Sequence, residues 1–392
     1  TRSIFKLFTF ILCVVYKMYE VAGANLFGQW FTDEIIIEGF KRVSKKCSDG
    51  KFDLDKARLI QANWSYNIFE IDGVFYVSGF WGKAEKQLAM VPLPIGFPKD
   101  CITMIMVGND SHLCMIDAEK QEIFIVDLKF DKQITRVNLA LENEEESVQI
   151  TKKIKKNNQV LKAVLTNNAG ILMRFINREV KIYTGLHPCH VDTDHVLGRI
   201  IDVQCGYEHY MLLTDTGKVY TWGNGKRLQL GHGGIENVTK PLLVAGLAGL
   251  NIKKIRAGGW HSAVVSEFGD LYVWGWNDIG QLGIKSRAMR RKEFREGASD
   301  KRKKTYSLPT IVNVYDEVLN SVTMDVIDVS CGSKHTVIMF SDFSIWAAGS
   351  NAYGQLSFPI KECTHIEYYI KVHQGTKDTV LRCGPWTTII QN

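Results

Sequence analysis

The residue types in this chain most able to do chemistry are its histidines. His209, His261 and His335 recur in one setting, each three residues after a glycine (Gly206, Gly258, Gly332). Histidine can serve as a base or a metal ligand, but both roles need several groups converging on one point. A residue that returns once per repeat is spread over separate units, which points to a structural, hydrogen-bonded imidazole. A second set, His187, Cys189, His190 and His195 in HPCHVDTDH, has the types of zinc ligands. Its spacing matches no standard zinc site, and Pro188 marks it as a connecting loop. No nucleophile elbow, phosphate cradle or paired-carboxylate arrangement stands out. The expectation is a protein that is not an enzyme, with no catalytic residue, cofactor or metal.

The sharpest charged feature is the segment 285–306, KSRAMRRKEFREGASDKRKKTY. It holds ten Lys and Arg against three acids, a local net of +7, while the whole chain carries +6. The rest is therefore near neutral, and the chain is not a basic protein. Two clusters, Arg290-Arg291-Lys292 and Lys301-Arg302-Lys303-Lys304, flank Gly297-Ala298-Ser299. The pattern suits a two-part nuclear import signal, or contact with nucleic acid or an acidic protein surface. A solvated loop without a partner is the plain alternative. Phe294 aside, aromatic interleaving is sparse, which argues against stacking on bases. The acidic stretch Glu142–Glu146 and the basic stretch Lys152–Lys156 read as one solvated hairpin excursion.

The elements that carry the histidines are repeats. Ile200–Gly231, Ile252–Gly283 and Asp325–Leu356 line up almost residue for residue, and a fourth anchor, Cys383-Gly384, opens CGPWTTII near the end. In each, an alternating strand ends at a small residue and the anchor glycine permits a tight bend or close backbone approach. The histidine starts a second strand. A hairpin follows, with Gly217 and Gly269 at its turns, and a third strand ends in an aromatic, Trp222, Trp274 or Trp346. One such sheet is too small to stand alone, and radial stacking buries both of its faces.

The run CG..H, a hairpin glycine, VY.WG and N..GQLG resembles the regulator-of-chromosome-condensation repeat family. The match is specific over about residues 200–284 and 325–392. The front half keeps the rhythm in weaker form, in Ala62–Gly82 about an Asp72-Gly73 turn, in Val107–Leu128, and in Val164–Gly185. Anchors near 63, 108, 167, 206, 258, 332 and 384 predict seven blades. The fold class expected is therefore all-β, a seven-bladed β-propeller. The last unit stops after its second strand, and Gly23–Trp30, GANLFGQW, has the ending it lacks. The N-terminal segment is thus predicted to complete the C-terminal blade and remove free sheet edges.

Residues 1–17 have the layout of a signal peptide, with Arg2 and Lys6 before an apolar run from Leu7 to Tyr16. The run is too short to span a membrane. The nine cysteines, an odd number without paired spacing, point to a reducing compartment; Cys205, Cys331 and Cys383 share one repeat slot with Ala257. That favours a start at Met18, with 1–17 as upstream or non-native sequence and 18–392 as one propeller domain. A secreted propeller is the alternative, with Asn63 and Asn237 as glycan acceptors.

The weak early repeats and short N-terminal segment look most like the stand-alone members of the family. That resemblance implies a non-catalytic interaction scaffold, nuclear (and cytoplasmic) and chromatin-associated, partnered by a Jumonji-type oxygenase or histone demethylase. The founding member's activity, guanine-nucleotide exchange on a small GTPase, is the alternative. No membrane contact is expected, and a single closed ring suggests a monomer.

Overall fold

The computed structural model describes residues 18–43, 56–80, 87–93, 104–117, 122–128, 134–138, 159–176, 179–284, 304–316 and 321–392. Residues 1–17, the charged stretches within 142–156 and residues 285–303 lie outside these. Among the described residues no helix is long and apolar enough to cross a membrane.

Among the described residues, twenty-eight strands form seven four-stranded antiparallel sheets. The chain opens with β1 (Tyr19–Ala24) and β2 (Ile36–Val43). Blade 1 is β3 (Arg58–Ala62), β4 (Tyr66–Ile71), β5 (Val74–Gly79) and β6 (Gln87–Pro92). Blade 2 is β7 (Met104–Gly108), β8 (His112–Asp117), β9 (Glu122–Asp127) and β10 (Ile134–Asn138). Blade 3 is β11 (Gln159–Leu165), β12 (Gly170–Ile176), β13 (Glu179–Thr184) and β14 (Cys189–Val191). Blade 4 is β15 (Ile200–Cys205), β16 (His209–Thr214), β17 (Val219–Gly223) and β18 (Val238–Leu243). Blade 5 is β19 (Ile252–Ala257), β20 (His261–Ser266), β21 (Leu271–Trp276) and β22 (Thr305–Ile311). Blade 6 is β23 (Val326–Cys331), β24 (His335–Phe340), β25 (Ser344–Ser350) and β26 (His365–Gln374). Blade 7 joins the two ends of the chain: β27 (Val380–Gly384) and β28 (Thr387–Gln391) pair onward to β1 and β2.

The closure is antiparallel, with Tyr19 opposite Gln391 and Gly23 opposite Thr387. The N-terminal segment completes the last blade as the repeat predicts, but most of GANLFGQW is not strand. It ends β1 and forms the turn beyond, and the outer strand is the later β2. Glycine at position 23 is required by geometry: its φ is +130°, and a Cβ there would lie 2.4 Å from the Trp386 carbonyl oxygen.

The core is divided among the seven joints between blades. Tyr19, Val21, Trp30 and Ile37 of blade 7 pack on Leu59 and Phe69 of blade 1, and each remaining pair of neighbours has its own apolar cluster. Second strands meet a blade on both faces. Hence β20 and β24 are buried at every position, whereas outer β18 is mostly exposed.

Two repeat positions differ from the sequence alignment. Trp222 and Trp274 face Tyr210 and Ser262 across their hairpins, but in blade 6 that register belongs to Ala348. Trp346 faces Ile338, the register held in blades 4 and 5 by Tyr220 and Tyr272. In the weak blades the anchor register falls on Asn63, Asn109 and Thr166. Each closes the backbone bond that Gly206 makes to His209, to Tyr66, His112 and Ala169 respectively.

Candidate partner-binding face

The histidines and glycines are local couples. A Cβ on Gly206, Gly258 or Gly332 would meet Cε1 of His209, His261 or His335 at 2.1, 2.1 and 2.0 Å. The imidazole lies on the glycine Cα, so each of these histidines requires its glycine. Blades 1 to 3 lack the anchor glycine and have no buried histidine at that register. At the Gly384 anchor of blade 7, Thr387 takes the histidine's place.

The couples of blades 4 and 5 also tie their blade to the next. His209 Nε2 lies 3.0 Å from Ser262 Oγ, and that hydroxyl donates to the Gln229 carbonyl at 2.9 Å. His261 Nε2 lies 2.9 Å from Thr336 Oγ1, which donates to the Gln281 carbonyl at 2.7 Å. A hydroxyl has one proton, and it goes to the carbonyl, so the imidazole must donate through Nε2. Thr388 repeats the carbonyl half toward Gln355, and Asn67 toward Gln29. Burial drives the histidine pKa values down, to about 3 for His209 and His261 and about 4 for His335. The three imidazoles are thus buried and neutral.

The N..GQL turns are built the same way. Asn25, Asn277 and Asn351 each accept at Oδ1 from the backbone five residues on, at Trp30, Leu282 and Leu356. The glutamine side chains accept from the backbone two residues back, at Phe27, Arg227, Ile279 and Tyr353. These bonds project the intervening side chains outward. Trp274 Nε1 donates to the Gln229 carbonyl, Trp346 Nε1 to Ser344 Oγ, and Trp222 stacks on Tyr210 at 5.3 Å. All three tryptophans are interior.

In an antiparallel four-stranded blade the first and third turns share one end. All anchor turns and all N..GQL turns therefore collect on one face of the ring. Its rim carries half-buried aromatics. Trp64, Tyr353 and Trp386, from blades 1, 6 and 7, lie mutually edge-on at centroid distances of 5.1, 5.4 and 6.2 Å. Phe27 joins Trp64 at 6.4 Å and the exposed Phe80 at 5.7 Å. On blades 4 and 5, the Arg227 guanidinium lies between Trp260 and Trp276, 4.9 and 4.4 Å from their ring centroids. Tyr207 packs edge-on to Trp260 and bonds across the channel to Ser333 Oγ.

The basic segment connects β21 to β22, a third turn, so both its ends lie at this face. Asn277 N donates to the Lys304 carbonyl at 2.8 Å, and Lys304 is exposed. Arg290, Arg291, Lys292, Lys301, Arg302 and Lys303 fall outside the described residues. His187, Cys189, His190 and His195 do not assemble: all four are exposed, and His195 Nε2 bonds the Pro241 carbonyl at 2.6 Å. Among the described residues no three His, Cys, Asp or Glu side chains gather as metal ligands.

Sequence reasoning missed the aromatic rim, although its signal was present. Trp64, Tyr207, Trp260 and Trp386 each stand one or two residues beyond an anchor.

Models of the regulator of chromosome condensation (RCC1) repeat match residues 216–265 and 269–339. A second model of the same repeat matches 200–229, 252–281 and 326–355, the first three strands of blades 4 to 6. RCC1 domain-containing protein 1 of Mus musculus is 32% identical over 210 residues, covering 49% of this chain and 55% of that protein. The Homo sapiens protein is 33% identical over 212 residues, covering 49% and 56%. The chain thus spans about half the length of the curated relatives it matches. Among solved structures, Prp20p from Saccharomyces cerevisiae, described with its binding properties to Gsp1p and histones, superposes with a TM-score of 0.68. The identity is 14%, over 96% of this chain and 91% of that one. Human WBSCR16 gives 0.67 at 13% identity, over 96% and 98%. These two likenesses bear on the fold alone. Blades 4 to 6 carry repeats that match the regulator of chromosome condensation repeat, over residues 200–355.

Proposed function

We propose that residues 18–392 act as one non-catalytic interaction scaffold, and that the face carrying the anchor turns receives a protein partner. The carrying observation is the aromatic rim: Trp64, Tyr353 and Trp386 stand part-exposed on a rigid sheet framework. Aromatic side chains so placed are the usual anchors of protein interfaces. The likeness to RCC1 domain-containing protein 1 supports a nuclear, chromatin-associated role beside a Jumonji-type oxygenase or histone demethylase. Arg290, Arg291, Lys292, Lys301, Arg302, Lys303 and Lys304 supply nuclear import or an acidic-surface contact.

The test is affinity purification from nuclear extract at low and high salt, with the native chain and with Trp64→Ala/Trp386→Ala. A stoichiometric oxygenase or other chromatin enzyme retained at high salt and lost in the double variant supports the reading. Retention by the variant refutes this face as the site. Changing Lys301–Lys304 to Ala moves the protein to the cytoplasm if the segment is an import signal. The ring shared with Prp20p supports a second reading, exchange on a small GTPase; unaccelerated nucleotide release at catalytic protein concentration removes it.

A further inference from the structure

The innermost strands enclose a cavity of about 430 Å³ at the centre of the ring, within the range of small-molecule sites. Two residues before the anchors of six blades, the wall presents Gln61, Val164, Gln204, Arg256, Ser330 and Arg382. This level holds two guanidinium groups and no carboxylate. Two other cations of the first strands have partners: Lys162 is paired with Asp202 and Lys254 with Asp328. Among the described residues the one carboxylate lining the cavity is Asp110, which accepts from Asn167 Nδ2 at 3.1 Å.

The two arginines are poorly compensated. Arg382 Nη1 donates to the Leu59 carbonyl at 3.0 Å, joining blade 7 to blade 1. Burial lowers its pKa; Tyr19 opposes the lowering and the charge of Arg58 adds to it. Arg256 Nη1 donates to the carbonyl of its neighbour Ile255, and its nearest carboxylate is Asp202 at 4.0 Å, already held by Lys162. The charge of Arg256 also reaches the buried thiols of Cys331 and Cys383, on the two blades that follow. Both guanidinium groups line this one cavity. A guanidinium fork matches an oxyanion with two donors.

We propose that the central cavity binds a small phosphate-bearing anion between Arg256 and Arg382. A monovalent carboxylate would leave one guanidinium uncompensated, whereas a phosphate dianion balances both. None of Trp64, Tyr353 and Trp386 lines the cavity, so this proposal and the partner-face reading fail separately.

The test is calorimetric titration of the full chain with inorganic pyrophosphate at constant ionic strength. Saturable binding is expected. Arg382→Gln, which keeps a donor for the Leu59 carbonyl, and Arg256→Gln each weaken it about tenfold or more with unchanged circular dichroism. Replacing Lys301, Arg302, Lys303 and Lys304 with Ser leaves it intact. Absence of saturable binding, unchanged affinity in both glutamine variants, or loss of binding with the Lys301–Lys304 replacement overturns the proposal. Should Arg382→Gln not fold, Arg256→Gln decides alone.

Discussion

Acid should unfold this ring through three histidines before its carboxylates matter. His209, His261 and His335 are fully buried and neutral, with folded pKa values of about 3, 3 and 4. An exposed histidine in the unfolded chain titrates near 6.5. The folded values are depressed, so the unfolded chain binds the extra protons. The stabilisation is complete above about pH 6.5 and drains away as pH falls toward the folded values. At pH 5 each histidine costs about 2 kcal/mol relative to pH 8, and the three together about 6 kcal/mol, comparable to the whole stability of an ordinary domain. Because His261 feels the charges of both His209 and His335, protonating one makes the next less favourable. The assay is urea unfolding followed by tryptophan fluorescence at pH 8, 7, 6 and 5, above the range in which most carboxylates titrate. His261→Gln keeps a donor for Thr336 Oγ1 and cannot take up the proton. It should be less stable at pH 8 but lose about 2 kcal/mol less than the native chain between pH 8 and pH 5. Parallel pH profiles for the two proteins would show that the buried imidazoles do not control acid stability.

Three further outcomes follow from the same geometry. Gly258→Ala places a Cβ 2.1 Å from His261 Cε1 and should cost about 3 kcal/mol by thermal melting, with Gly206→Ala behaving alike. Phe343 holds the hairpin position of Gly217 and Gly269 at φ +64°, so Phe343→Gly should raise stability by up to about 1 kcal/mol in urea titrations. Trp30 is 1% exposed at the joint of blades 7 and 1, edge-on to Phe69. Trp30→Ala should cost about 3–5 kcal/mol and make residues 18–43 the first segment cut in limited proteolysis.

Features encoded inside one repeat could be read before the fold was known. The glycine three residues before each histidine was legible because imidazole and Cα touch within a single turn. The N..GQL motif was legible because its asparagine and glutamine bond to backbone two to five residues away. Seven such units with a split last one implied the closed ring, since a blade can bury its faces only against neighbours. What crosses between blades was not legible. Asn109 donates to the Thr166 carbonyl, Thr166 Oγ1 to the Gly206 carbonyl, and Tyr66 to the Asn109 carbonyl. Side chains there replace the bonds that blades 4 to 7 make with bare backbone, from Tyr207 N to the Gly259 carbonyl, Gly259 N to Gly332, and Ser333 N to Pro385. Such bonds join residues forty or more positions apart, where local patterning carries no information. The same holds for function. Trp64 and Tyr353 are 289 residues apart in sequence and 5.1 Å apart as rings. Arg256 and Arg382 share a cavity only because the ring closes. Local rules write each blade, and only closure decides which side chains meet at its centre and on its face.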